Sequence, residues 1–318
     1  MTFTSPASAA SLAAASRPPT TSEVVCGDAF DLLDTLDDDS IDLIVTSPPY
    51  WGLRTYGLDH DDGVLETWQR RGDGPERPPG YAWYRDHGGV LGLEPYPEWY
   101  VAHLAEILDK AAPKLKRDGS MWVNLGDTYF ARWSSIRPDG RQGLGETERL
   151  RRRTPSGGIR HDKQLLLLPA RWAIAMQQQG WILRNDLIWH KPDVAPRPED
   201  DRLRLAHEHF FHFVRRARGG RPRYFYDLNG AEPDAHDVVA VASSRSGDGH
   251  SATFPPELVM PRIASSSPPA GVVLDPFCGV GTTLTCAVRL GRQALGFELS
   301  DRYAEIARGK LHALELAA

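Results

Sequence analysis

Two short stretches of this 318-residue chain combine residue types and spacings that suit chemistry. The first is Thr46-Ser47-Pro48-Pro49-Tyr50-Trp51, preceded by the apolar run Ile41-Asp42-Leu43-Ile44-Val45. Such a run reads as a buried parallel strand. Each proline then fixes its own φ, lacks an N–H and pushes the residue before it into extended backbone. The strand therefore ends in a stiff turn whose carbonyls no helix claims, with an aromatic ring beside them. A flat, hydrogen-bond-donating group suits that place, and a nucleobase with an exocyclic amine is the leading occupant. A plain proline turn after a strand explains the same residues as well.

The second stretch is Gly271-Val272-Val273-Leu274-Asp275-Pro276-Phe277-Cys278-Gly279-Val280-Gly281-Thr282-Thr283, which reads as a strand, a Gly-rich turn and a helix start. A turn of that kind lets a ligand approach the backbone and the helix N-terminus. There is no Gly-Lys-Ser/Thr, so no lysine reaches a phosphate, and a lone Gly279-x-Gly281 falls short of the dinucleotide fingerprint. The acid after the strand would repel a phosphate but attract a cation, such as the amino group or sulfonium of S-adenosylmethionine. Glu298 ends the next strand, placed to take ribose hydroxyls. Asp28 follows a short strand at 23–26. It is either a helix cap or a carboxylate at the ligand edge of a sheet.

Other periodic segments would position these groups. Helical spacing covers 30–36, 98–115, 164–179 and 301–317, and strands are expected at 119–125, 181–189, 207–214 and 292–297. Residues 1–22, rich in Ala, Ser, Thr and Pro, read as a disordered tail. Residues 52–95 interleave Trp68, Tyr81, Trp83 and Tyr84 with arginines, suited either to base stacking with phosphate contact or to pinning a long loop. The 130–163 run is basic and Gly/Pro-broken, and a second basic cluster spans 202–223. Residues 227–250 read as irregular. His207, His209 and His212 alternate with apolar residues and do not share one face, so no metal site is expected.

Composition narrows the classes. A hydrophobic content of 41% over this length is compatible with one large α/β domain or one domain plus a lobe. The net charge of −5 does not advertise nucleic acid, so any such partner must meet locally gathered arginines. No apolar run approaches a membrane span. Cys26, Cys278 and Cys286 form neither a disulfide framework nor a zinc pattern, which fits a reducing, cytoplasmic setting.

Taken together, Ser47-Pro48-Pro49-Tyr50 and Asp275 to Thr283 resemble the catalytic and cofactor motifs of bacterial or phage DNA amino-methyltransferases of the β motif order, the N4-cytosine/N6-adenine group. Gly27-Asp28, Trp189-His190-Lys191-Pro192 and Phe254-Pro255-Pro256-Glu257-Leu258 support the resemblance, which runs from about residue 23 to 315. It implies a permuted Rossmann-like fold over 23–318, mostly parallel with one antiparallel hairpin strand in the 207–214 region. Insertions fall at 52–95 and 130–163, and target recognition in 130–163 and/or 215–250. S-adenosylmethionine would be held by Asp28, Phe254, Pro255, Asp275, Phe277, Gly279, Gly281, Thr282, Thr283 and Glu298, with no metal.

In the mechanism so implied, a base flipped out of double-stranded DNA stacks on Tyr50. Its amine donates to the Pro48 carbonyl and the Ser47 hydroxyl, beside Pro49. Arg132, Arg151, Arg152, Arg153, Arg215 and Arg216 would contact the DNA backbone. Ser at position 47 favours N4-cytosine over N6-adenine. Methylation of RNA or protein and a non-catalytic DNA-binding module remain as alternatives. The resemblance also implies a cognate restriction endonuclease as partner, nucleoid association and a monomer or homodimer.

Overall fold

A computed structural model describes residues 22–52, 60–61, 63–71, 77–131, 133–136, 150–194, 200–216, 219–228, 236–243 and 254–316, with backbone alone for 133–136 and 150–153. The expected tail lies outside the described residues, as do parts of the 52–95, 130–163 and 227–250 segments.

The centre is an eight-stranded sheet. In chain order its strands are β1 (Glu23–Cys26), β2 (Ile41–Thr46), β3 (Leu115–Leu125), β6 (Ile182–His190), β7 (His207–Val214), β8 (Val238–Ala240), β9 (Val272–Asp275) and β10 (Gln293–Glu298). Their order across the sheet is β1-β10-β9-β2-β3-β7-β6-β8. Every neighbouring pair is parallel except β3·β7 and β6·β7, so β7 is the one strand that runs against the rest. This is the permuted, mostly parallel architecture expected. A separate antiparallel pair joins β4 (Trp133–Ile136) to β5 (Leu150–Arg153).

Helices cover both faces. On one lie α1 (Ala29–Leu32), α2 (Val64–Gln69), α3 (Tyr81–Asp86), α4 (Pro97–Lys110) and α5 (Leu168–Gln178). On the other lie α6 (Pro256–Ser266), α7 (Thr282–Arg289) and α8 (Asp301–Glu315). The two-residue period of a strand explains the division. Ile44, Met121 and Val123 face the first layer, whereas Leu43, Val45 and Trp122 face the second; a register shift between Ile41 and Leu43 puts Ile41 on the first layer too. Both faces of β2 are covered, so all six of its residues are buried, and four of the six are apolar.

The structure revises three expectations and decides between two readings left open. The 98–115 helix ends at Lys110: Pro113 follows, and Leu115 pairs with Ile41 as the first residue of β3. The 164–179 helix begins only at Leu168, after Leu167 turns left-handed at φ 55°. The 227–250 stretch contributes β8, which pairs in parallel with β6 at the sheet edge. Finally, the aromatic rings of 52–95 are largely spent on packing. Tyr81 and Tyr84 are buried, Trp68 sits 4.8 Å from Trp83, and Tyr84 lies 4.8 Å from His103 of α4. A cluster of this size is worth more inside than offered to a base, since each ring buries a large apolar area.

Candidate functional site

Strands β2 and β9 are adjacent and parallel, with Leu43 opposite Val273 and Ile44 opposite Leu274. Their following turns therefore emerge side by side, although far apart in sequence. A cleft of about 1050 Å³, measured to its open mouth, lies at this edge. Gly27 and Asp28 line it from the end of β1, Ser47 and Pro49 from β2, Asp275 to Val280 and Thr282 from β9, and Glu298 and Leu299 from β10. Tyr81, Val90, Leu91, Phe254 and Tyr303 complete the wall. Ligands of open α/β sheets lie at this carboxyl edge.

Asp275 is the buried centre of the cleft, 2% exposed. Its Oδ1 accepts hydrogen bonds from Thr46 Oγ1 at 2.6 Å and Phe277 N at 3.1 Å. Its Oδ2 accepts from Thr283 Oγ1 at 2.6 Å. Burial raises its pKa to about 6, against the lowering effect of these donors. Thr283 is itself fully buried and does not line the cleft; it positions the carboxylate instead.

The glycines divide their work. Gly279 has φ +52°, and nothing lies within 4 Å of where its Cβ would stand. It lines the cleft, so its backbone is open to a ligand. Gly281 has φ +81°, and a Cβ there would meet Ala307 Cβ at 3.0 Å, so its bareness serves the packing of α8. Glu298 accepts from Gly279 N and Ser300 N, both at 2.8 Å, and burial pushes its pKa up. Asp28 serves both expected roles at once. Its Oδ1 caps α1 through Phe30 N at 2.8 Å, while Oδ2 accepts from Tyr81 OH at 3.0 Å on the cleft wall. Burial raises its pKa as well. Phe254, Phe277 and Thr282 line the cleft; Pro255 stands one step outside as the N-cap of α6.

The proline turn is held from behind. The Pro49 carbonyl accepts from Tyr100 OH at 2.9 Å, whereas the Pro48 carbonyl accepts no hydrogen bond among the described residues. Ser47 Oγ makes one long contact, 3.4 Å to Tyr50 OH. Tyr50 OH donates to Glu208 Oε2 at 2.7 Å and accepts from Asn124 Nδ2 at 2.9 Å; Asn124 Nδ2 also reaches Glu208 Oε2 at 2.7 Å. Lys191 Nζ pairs with the other oxygen of Glu208. Burial and the neighbouring Glu208 charge hold the Tyr50 phenol well above its ordinary pKa, so it stays protonated and donates. Tyr50 packs so closely that a Cβ on Gly126 would stand 2.8 Å from its ring.

Sequence reasoning missed Tyr100, Asn124 and Glu208, and named Tyr81 only among the rings of 52–95. Glu208 sits between two histidines that drew attention as metal ligands. Its signal was a carboxylate at the start of a strand whose antiparallel course brings that end to the cleft edge. The described residues hold no group of three or more His, Cys, Asp or Glu side chains placed for a metal. Cys278 is buried, and burial raises its thiol pKa well above the ordinary value, so it is a poor nucleophile.

The expected DNA-contacting arginines are dispersed. Arg132 lies outside the described residues, and Arg151, Arg152 and Arg153 pair through β5 with β4. Arg215 and Arg216 follow the far end of β7. Because β7 is antiparallel, that end lies at the opposite edge of the sheet from the cleft. There Arg215 Nη1 stands 3.1 Å from Asp39 Oδ1 and also donates to the Leu115 carbonyl. The structure does not bring these two arginines to the site.

Comparison with known proteins follows the same lines. A family model described as DNA methylase matches residues 41–309. The Type II methyltransferase M.Cfr9I of Citrobacter freundii is 32% identical over 293 residues, spanning 90% of this chain and 86% of its own. The Type II methyltransferase M.SmaI of Serratia marcescens is 31% identical over 299 residues, spanning 91% and 90%. Among solved structures, the cytosine-N4-specific PvuII DNA methyltransferase matches with a TM-score of 0.63 at 20% identity, covering 92% of this chain and 86% of that one. A putative DNA modification methylase from Thermus thermophilus, complexed with S-adenosyl-L-methionine, matches at 0.56 with 22% identity, covering 92% and 95%. At those identities the structural matches establish the fold. No helix among the described residues is long and apolar enough to cross a membrane.

Proposed function

The chain belongs to the DNA methylase family, the N4/N6 amino-methyltransferases of DNA, and from that premise we propose that it methylates the exocyclic N4 of a cytosine flipped out of duplex DNA. One observation carries this reading: Ser47 and Pro49 of the proline turn line the same cleft as Asp275, Gly279 and Glu298. Methyl acceptor and methyl donor would thus share one wall.

The cleft fits S-adenosylmethionine. Gly279 leaves its backbone uncovered, Asp28 and Glu298 present carboxylates, and Phe254 and Phe277 supply apolar surface. When bound, that cofactor supplies an electrophilic methyl group on a sulfonium. Asp275, ionised above about pH 6, adds negative charge that favours a cation over a phosphate. Glu298 takes the ribose hydroxyls and Asp28 the adenine amine, each through lone pairs left over from its backbone partners. Thr46 and Thr283 hold Asp275 in place.

On the acceptor side, the Pro48 carbonyl, which is buried behind Ser47 and Pro49 but has no hydrogen-bond partner among the described residues, and Ser47 Oγ accept the N–H bonds of the amine. This directs the nitrogen lone pair away from the ring, toward the methyl group. Tyr50 stacks on the base, its ring oriented by Glu208 and Asn124 through the phenol oxygen. Extruding the base costs a few kcal/mol, which stacking of about 1–3 kcal/mol per base offsets in part. Cytosine is preferred over adenine on the strength of Ser47, the residue that the resemblance associates with N4 methylation. The relatives' Type II designation supports a cognate restriction endonuclease as partner.

Digestion of DNA from a host expressing the chain, followed by nucleoside mass spectrometry, tests this directly. N4-methylcytosine is expected. N6-methyladenine in its place would transfer the reading to the adenine branch. Methyl transfer to RNA or protein alone, or binding of DNA without transfer, would overturn it.

A further inference from the structure

The two ends of the β6–β7 connection meet at the carboxyl edge of the sheet, the edge that carries the cleft, where the Lys191 N–H donates to the Ala206 carbonyl at 2.8 Å. The antiparallel hairpin brings two consecutive residues of it under restraint. Asp201 pairs with Lys163 at 2.5 Å, and the Arg202 guanidinium lies 3.9 Å from the centre of the Tyr129 ring. The next residue, Leu203, is 89% exposed, the highest value among the described large hydrophobic residues. Arg204 is exposed and has no hydrogen-bond or ion-pair partner among the described residues. Five residues beyond Leu203 stands Glu208, which grips Tyr50.

A single exposed leucine is ordinary on a protein surface. This one differs by its setting. Its two predecessors are anchored, its successor is an unpaired cation, and the strand that follows leads directly into the acceptor pocket. Flipping a base opens a gap in the stack. Proteins that distort duplexes fill such gaps with apolar wedges flanked by basic side chains. The exposed Asp201–Lys163 pair adds little stability, but it restricts where the tip points.

We propose that Leu203 enters the base stack as the target nucleotide leaves it, with Arg204 on an adjacent phosphate. This rests on the DNA-methylation reading above. It also moves the DNA-contacting part of the 202–223 basic cluster to its first residues, since Arg215 is engaged at the far edge of the sheet.

The test uses the full chain and a duplex carrying the sequence found modified by methylome sequencing. The target base is either normally paired or placed opposite an abasic site, where no base pair must be broken and no orphaned partner base is left behind. Leu203→Ala is expected to slow methylation of the paired duplex about tenfold and that of the abasic-opposed duplex less than about twofold. Equal loss on both duplexes, or loss on neither, overturns the wedge. Arg204→Ala is expected to reduce the slope of log affinity against log salt by about one; an unchanged slope overturns its phosphate contact. If the wild-type protein methylates neither duplex, the DNA-methylation reading fails and the wedge with it. Leu203 is exposed, so a thermal melt of the variant is expected to match the wild type.

Discussion

Thr46 Oγ1 donates a 2.6 Å hydrogen bond to Asp275 Oδ1 across 229 residues of chain. Thr46 is the last residue of β2, directly before Ser47, and Asp275 is the last of β9. One buried contact therefore fixes the distance between the proline turn after β2 and the glycine turn after β9. Replacing Thr46 by Val keeps the shape and removes the donor, leaving a buried carboxylate with one partner fewer. The expected cost is about 1–3 kcal/mol of stability with weaker cofactor binding. Thermal unfolding with and without S-adenosylmethionine checks it, and a variant matching the wild type in both would sever the proposed link.

Asp275 also sets a pH dependence. Its carboxyl titrates near 6 in the folded protein, against 3.8 for an ordinary aspartate. Below about pH 6 it is neutral and attracts no cation. Cofactor affinity is therefore expected to rise from about pH 5 to 7 and then level, with proton release on binding in the lower part of that range. For stability the sign is opposite. The folded state holds this proton more tightly than the unfolded chain, so the contribution is most favourable below the unfolded value. It declines as pH rises through about 6, by an amount on the order of 3 kcal/mol. Calorimetric titration in two buffers of different ionisation heat measures the proton count. An affinity flat from about pH 5 to 8 would rule out Asp275 as the controlling group.

The two cofactor-loop glycines separate binding from folding. Gly279→Ala places a methyl in open space beside the cleft, so its principal effect is expected on cofactor affinity, with strain of about 1–2 kcal/mol from the positive φ. Gly281→Ala adds a clash with Ala307 to the same strain and is expected to lower the melting temperature more. The reverse ranking in parallel melts and binding titrations would contradict the division.

Tyr50 and Glu208 are expected to act as one unit. Tyr50→Phe keeps the ring but releases it from Glu208. Glu208→Gln keeps an acceptor while removing the charge that Lys191 neutralises. If Glu208 works by orienting the Tyr50 ring, the double variant will lose little more turnover than the worse single one, and cofactor affinity will stay unchanged in all three. Additive losses in a double-mutant cycle would assign Glu208 a separate role.

Much of the fold was legible because it rests on local patterns. β2 and β9 show as apolar runs ended by Pro or Gly, and parallel strands buried on both faces must be apolar throughout. Asp28, Ser47, Asp275 and Glu298 could be singled out, and line one cleft, because each ends or follows such a run, where a sheet presents its ligand edge. What failed was anything that needed long-range partners. Trp83 and Trp68 read the same in a stacking loop as in a packed one, since only the tertiary fold decides that they pack, partly buried, against the core. Glu208 carried no spacing of its own, and Arg215 no sign that it belonged to the far edge.

The sequence by itself determined the strand–turn units, the stiffness of Ser47–Tyr50 and the bareness of Gly279, because backbone restriction and periodicity are properties of neighbouring residues. The tertiary structure alone decided that Thr46 meets Asp275, that Glu208 and Asn124 hold Tyr50, and that Arg215 stands at the sheet edge away from the cleft. Those relationships depend on strand order and direction, and they arise only when segments distant in the chain bury their faces together.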